Sequence, residues 1–356
     1  MTSVFRVFCN FGRSVRKIGF HDSQIRHRSV KAAVLKEFKS PLIIDEVKQS
    51  KLKGHEIRIK VQYCSVNPSD VEIVKGYHEY KPKLPFVPGY EMAGEVLEVG
   101  KEAKLEGFNV GDKVIGLNKE ACGGLSEECI VVSKDCYHVP QGISLKDCSA
   151  LLDGYITAVL GLIRRGKLEE GETVLVTAAG GGIGLAAVDL AANVYKAKVI
   201  AVCSSEDKAA LVREKGAFMA LKYDDHLAKE VKKMTGGKGV KVVFDATGDK
   251  VFDSALHCVA NEGRMVLASN AARNIKHFNP SLLLPKAISV TGVSPWHYRI
   301  NDFDTYKSCV EDVIDMAEQE LISPHVSEEF ELQNVNSAFE YLLDAKCTGK
   351  VVVKVE

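Results

Sequence analysis

The rhythm of hydrophobic and polar positions changes twice along the chain. Between residues 31 and 150 the apolar runs are short and alternate with polar residues, so 32–35, 56–63, 94–99 and 112–116 predict strands of a mostly antiparallel sheet. From 151 to 294 the runs become continuously apolar, as in strands buried on both faces, and are separated by stretches of helical spacing. Six runs (174–178, 198–203, 217–221, 241–244, 264–268 and 287–291) predict a doubly wound parallel sheet. Residues 302–321 then have the spacing of a long helix, and 349–355 read as a terminal strand, most simply returned to the first sheet. The chain is therefore expected to be α/β: a six-stranded parallel domain (151–294) inserted between the first part (31–150) and the return segment (295–356) of an antiparallel domain.

Bulk composition narrows the function little. Lys+Arg and Asp+Glu both total 47, so no net field draws the chain to nucleic acid or to a membrane surface. No run of 18 apolar residues is present, and the ten cysteines include no C-x-x-C pair, which suits reduced thiols. Residues 1–30 differ: six Arg and Lys face one acidic residue, Asp22, with Phe5, Phe8, Phe11, Ile18 and Phe20 interleaved. This segment has the character of a mitochondrial presequence, which predicts a matrix location; a basic tail or surface helix on a cytoplasmic protein is the alternative.

Candidate chemistry centres on the turn after the first parallel strand, Thr177-Ala-Ala-Gly-Gly-Gly-Ile-Gly184. A strand, a glycine turn and a helix together bring backbone N–H groups and a helix N-terminus to a pyrophosphate. Against the G-x-G-x-x-G fingerprint the positions are Ala179, Gly181 and Gly184, with Gly182 and Ile183 between them. At the end of the second strand, where NAD-binding folds place a carboxylate on the ribose 2′-hydroxyl, stand Cys203, Ser204 and Ser205, with Lys208 close behind. Hydroxyls and an ammonium suit a 2′-phosphate, so NADP(H) is the expected cofactor; Glu206 or Asp207 would serve NAD if the strand ended later. Tyr223, Thr247 and Ser269 follow later strands and should line the same crevice. In the first domain Asn67 and Asp70 sit on a turn that Pro68 stops from continuing as strand, where they either orient a ligand or bond to nearby backbone.

The succession Asn67-Pro-Ser-Asp70, Pro85-Phe-Val-Pro-Gly-Tyr-Glu91, Gly111-Asp-Lys-Val114, the glycine turn and Gly349-Lys-Val-Val352 resembles the medium-chain dehydrogenase/reductase superfamily, in its zinc-independent quinone oxidoreductase branch. Within the branch, Leu282-Leu-Leu-Pro-Lys and Trp296-His-Tyr-Arg are similar in style to the quinone oxidoreductase-like protein 2 group. The resemblance implies a Rossmann domain inserted into a GroES-like domain, and a reductase that transfers hydride from NADPH to quinones or other α,β-unsaturated carbonyl compounds. It implies a place for Asn67 beside the nicotinamide and the substrate oxygen, and cofactor roles for Thr157, Lys208 and Tyr223; Asn67 and Asp70 are the catalytic candidates, with backbone capping at least as good a reading of Asp70. Zinc members carry cysteine, histidine and cysteine where this chain has Asn67, Tyr90 and Asp153, so no metal is expected. The implied partners are a small electrophilic substrate and a second copy paired near 287–291, with neither nucleic acid nor membrane. A mitochondrial enoyl-thioester reductase and a nucleotide-binding scaffold with little turnover are the alternatives.

Overall fold

A computed structural model describes residues 29–269, 278–344 and 347–356. Residues 1–28 of the arginine-rich segment lie outside the described residues, while Ser29 and Val30 already open a strand.

The first domain begins with β1 (Ser29–Val34) and β2 (Ile43–Lys48), a separate antiparallel pair. Its main sheet contains β3 (Glu56–Val66), which leads into the short helix α1 (Pro68–Val74), followed by β4 (Glu91–Val99), β5 (Lys113–Leu117), β6 (Glu128–Val132) and β7 (Cys136–His138). The chain then crosses into α2 (Leu152–Val159), every residue of which is buried. The inserted domain runs β8 (Thr173–Val176), α3 (Gly182–Asp189), β9 (Lys198–Cys203), α4 (Glu206–Glu214), β10 (Met219–Lys222), β11 (Val240–Asp245), β12 (Val259–Leu267) and β13 (Ser289–Gly292). Its six strands are all parallel, in the order β10-β9-β8-β11-β12-β13. Strand order therefore reverses between β8 and β11, and a crevice opens at the carboxyl ends there.

The last part of the chain divides differently from the expected 295–356 return. Helix α5 (Phe303–Glu318) buries Tyr306, Val310, Val313 and Ala317 in the cluster that contains α2 and the parallel strands, because its apolar stripe faces α2. The return to the first sheet starts only at β14 (Val326–Glu331); β15 (Lys350–Lys354) then pairs parallel with β14 and antiparallel with β3. β2 and β14 escape a search for apolar alternation because their sequences, Ile-Ile-Asp-Glu-Val-Lys and Val-Ser-Glu-Glu-Phe-Glu, are those of exposed edges. Among the described residues no helix is long and apolar enough to cross a membrane.

Candidate active site

The glycine turn shapes one wall of a cleft between the domains. Ala178 leaves β8 at φ +45°, and α3 starts at Gly182 with Gly181 as its N-cap. A Cβ on Gly184 would lie 2.3 Å from the Ala178 carbonyl oxygen, so only glycine lets the helix pack this close to the strand end. A Cβ on Gly180 would meet the Lys208 side chain at 2.7 Å; its absence lets that lysine cross the turn. Gly349 docks from the first domain, donating its N–H to the Gly180 carbonyl at 2.8 Å. Two cavities share this wall. One, of about 300 Å³, is lined by Gly180, Ser204, Lys208, Tyr223 and Thr247; the other, of about 200 Å³, by Asn67, Asp153, Gly182, Ile183, Ser269 and Lys350. Ala178, Gly181, Lys208 and Thr247 line both, so the two form one groove. Thr247 is held in place by Asp245, whose Oδ1 accepts from the Thr177 hydroxyl at 2.5 Å and from the Thr247 and Gly248 N–H groups at 3.2 and 3.1 Å.

Three expected site residues stand elsewhere. Ala179 is fully buried and donates its N–H to the Val202 carbonyl, so Ala178 faces the groove instead. Thr157 is buried within α2 and its hydroxyl donates to the Asp153 carbonyl at 2.7 Å, away from both cavities. Asp70 is a cap: its two carboxylate oxygens accept from the Asn67 N–H at 2.9 Å and the Gly89 N–H at 3.0 Å. Burial pushes the Asp70 carboxyl up to about 7, against the pull of those two N–H groups and of Lys350. It fixes the turn that carries Asn67 and does not line the groove.

The opposite wall is a charged cluster gathered from many elements. Lys350, near the start of β15, donates to the Asn67 Oδ1 and, at 2.6 Å, to Glu91 Oε2. Asn67 Nδ2 donates to the same Glu91 oxygen at 3.1 Å, so the amide can point only one way, its oxygen toward the ammonium and its nitrogen toward the carboxylate. Glu91 Oε1 accepts from the Asp153 N–H at 2.9 Å. Burial would lower the Lys350 ammonium, but the Glu91 and Asp153 carboxylates outweigh it and hold it above its usual range. Alongside, Tyr90 donates its hydroxyl to Asp153 Oδ2 at 3.1 Å and accepts from the Ser69 hydroxyl at 2.9 Å. Lys119 forms an ion pair with Asp153 Oδ1. Lys119 is not among the sequence candidates, and Lys350 appears only within the Gly349-Lys-Val-Val352 motif, with no site role; a lone lysine opening the otherwise apolar Lys350-Val-Val-Val run is the signal that marks it.

With this geometry in hand, similarity to known proteins places the chain. It is 38% identical over 330 residues to quinone oxidoreductase-like protein 2 of Bos taurus, covering 92% of this chain and 93% of that protein. The chain belongs to that family. The family lies within the quinone oxidoreductase branch of the medium-chain dehydrogenases/reductases, and the quinone oxidoreductase of Homo sapiens is 27% identical over 85% of this chain and 89% of its own length. Residues 53–161 match the family described as alcohol dehydrogenase GroES-like domain, and residues 182–312 the one described as zinc-binding dehydrogenase. A mycobacterial protein whose structure was solved complexed with NADPH superposes with a TM-score of 0.85 at 27% identity, over 92% of this chain and all of that one.

The donor set does not fit the zinc that the second family description implies. Of Asn67, Tyr90 and Asp153, only the last is a usual zinc ligand, and its carboxylate is already engaged by Lys119 and Tyr90. The Asn67 oxygen is taken by Lys350, so an ammonium stands where a cation would compete. Among the described residues no three His, Cys, Asp or Glu side chains group as metal ligands.

Proposed function

We propose that this member of the quinone oxidoreductase-like family is an NADPH-dependent reductase of quinones or other α,β-unsaturated carbonyl compounds. The observation that carries the reading is the lining of the larger cavity: hydroxyls of Ser204, Tyr223 and Thr247 and the ammonium of Lys208, with no carboxylate among the described residues that line it. β9 ends at Cys203, so Glu206 falls in the first turn of α4, where it pairs with Arg213 at 2.8 Å and does not reach the cavity. A 2′-phosphate is favoured there over a bare ribose. The glycine turn and the N-terminus of α3 would take the pyrophosphate. The NADPH complex of the mycobacterial relative supports the same assignment.

When bound, the reduced dinucleotide supplies a hydride. The chain's part is to orient the acceptor and stabilise the oxygen onto which charge moves. Asn67 lines the groove, and one of its amide N–H bonds has no partner among the described residues. The Lys350 ammonium on its carbonyl oxygen polarises the amide and strengthens that N–H as a donor to a developing oxyanion. Conjugated acceptors need no more Lewis acidity than this. Steady-state assay with NADPH of p-benzoquinone, cyclohexenone and a crotonyl thioester tests the reading: turnover of the first two is expected, preference for the thioester would make it an enoyl-thioester reductase, and tight binding without turnover of any would leave a scaffold.

The same reading includes a homodimer and mitochondrial import. β13 is the last strand of the parallel sheet, and an outer edge bonded to no other described strand supports pairing with a second copy; sedimentation of a monomer at micromolar concentration would remove it. Accumulation of a longer precursor on uncoupling is the outcome expected for import.

A further inference from the structure

Resting on the reductase reading, we propose that Lys119, Asp153 and Tyr90 form the proton-supply arm of the site, with Asp153 the group that meets the substrate and Lys119 the reservoir behind it. Reduction of a conjugated carbonyl consumes one proton for each hydride, so something must deliver it to a groove that the two domains close. Asp153 lines that groove beside Asn67, buried except for a sliver of 7%. Its Oδ2 is fixed by the Tyr90 hydroxyl and its Oδ1 by Lys119, whose side chain keeps 22% of its surface exposed. The lysine side chain is thus partly open to solvent while its ammonium pairs with the carboxylate, and that ammonium also sits 4.9 Å from the Tyr90 ring centroid, which holds it in place.

The groups facing Asp153 are Lys119, Tyr90 and Glu91, which receives the Asp153 N–H, with Lys350 beyond Glu91 and the Asp70 carboxyl also in range. Burial would raise the Asp153 carboxyl, but Lys119 and Lys350 outweigh it and hold it below its usual value, so at rest it is a carboxylate. The C–H bond that a reduced dinucleotide would offer gives up its hydride, electron pair included, to a new C–H bond at the electron-poor carbon of the substrate, and the π pair moves to the substrate oxygen. The negative charge growing beside Asp153 raises the proton affinity of its carboxylate. Asp153 takes a proton from the Lys119 ammonium and passes it to that oxygen. The neutral amine is then reprotonated from solvent, to which the Lys119 side chain is partly open.

Lys119→Arg and Lys119→Met separate this role from a structural one, because arginine keeps the ion pair but cannot release a proton. Both variants are expected to lower kcat for cyclohexenone by about 100-fold, with KM and the NADPH dissociation constant, read by fluorescence titration, within about twofold of wild type. Without substrate, the ¹³C-labelled Asp153 carboxyl should titrate at higher pH in Lys119→Met than in wild type or Lys119→Arg. Lys119→Arg retaining more than about half of the wild-type kcat, or a carboxyl that titrates alike in all three proteins, would overturn the proposal. A wild-type protein inert toward every acceptor would instead remove the reductase reading itself, and this proposal with it.

Discussion

The two walls of the cleft are built in opposite ways. One is backbone: a single contiguous stretch, 177–184, in which side chains matter chiefly by being absent. The other is side chains, and its central contact joins Asn67 to Lys350 across 283 positions. A wall of bare backbone tolerates almost no added atom but carries little charge to unbalance. A wall of paired charges tolerates changes of shape, yet losing one partner strands the others in a buried site.

That contrast can be broken at either wall. Glu91→Ala should have the largest effect, since it leaves the Lys350 ammonium buried without its carboxylate; a loss of about 3–5 kcal/mol in denaturant unfolding is expected, and a loss near zero would mean that the cluster is solvated. Gly184→Val comes next, on the order of 3 kcal/mol from overpacking against the Ala178 carbonyl, and should abolish NADPH binding in the protein that still folds. The Asp70 cap predicts a pH effect of known sign. Its carboxyl is raised from 3.8 to about 7, so the folded state binds the proton more tightly between those values; stability is fully present below pH 3.8 and is lost as pH rises through 7. The slope is at most about 1.4 kcal/mol per pH unit, should appear in unfolding curves between pH 4.5 and 6.5, and should vanish in Asp70→Asn. The smallest effect belongs to Glu206→Ala, an exposed pair whose loss should change stability by less than about 1 kcal/mol and leave the NADPH-to-NADH preference where it was.

The same contrast explains what was legible in the chain. The parallel strands and the turn were readable because continuous apolar runs and glycines act locally; β9 ends at Cys203 as its pattern indicates. Ala179 fits the first glycine position of the fingerprint in sequence but is buried against β9, and only the positive φ of Ala178 reveals which alanine faces the groove. Asp70 looks like chemistry on a polar turn until both its oxygens are found on backbone N–H groups. Asn67, Tyr90 and Asp153 could be singled out together only through family resemblance, and nothing local joins Lys119 or Lys350 to them. Pairings between distant elements leave no period in the chain.

On the proposed reading the groove holds a dinucleotide carrying a 2′-phosphate. Fluorescence titration of the wild-type protein and of Lys208→Ala with NADPH and with NADH tests it most directly. NADPH is expected to bind at least about tenfold more tightly than NADH, a difference of about 1.4 kcal/mol, with a loss in Lys208→Ala confined to NADPH. Equal weakening of both nucleotides by that substitution, or a wild-type protein that binds neither, would contradict it.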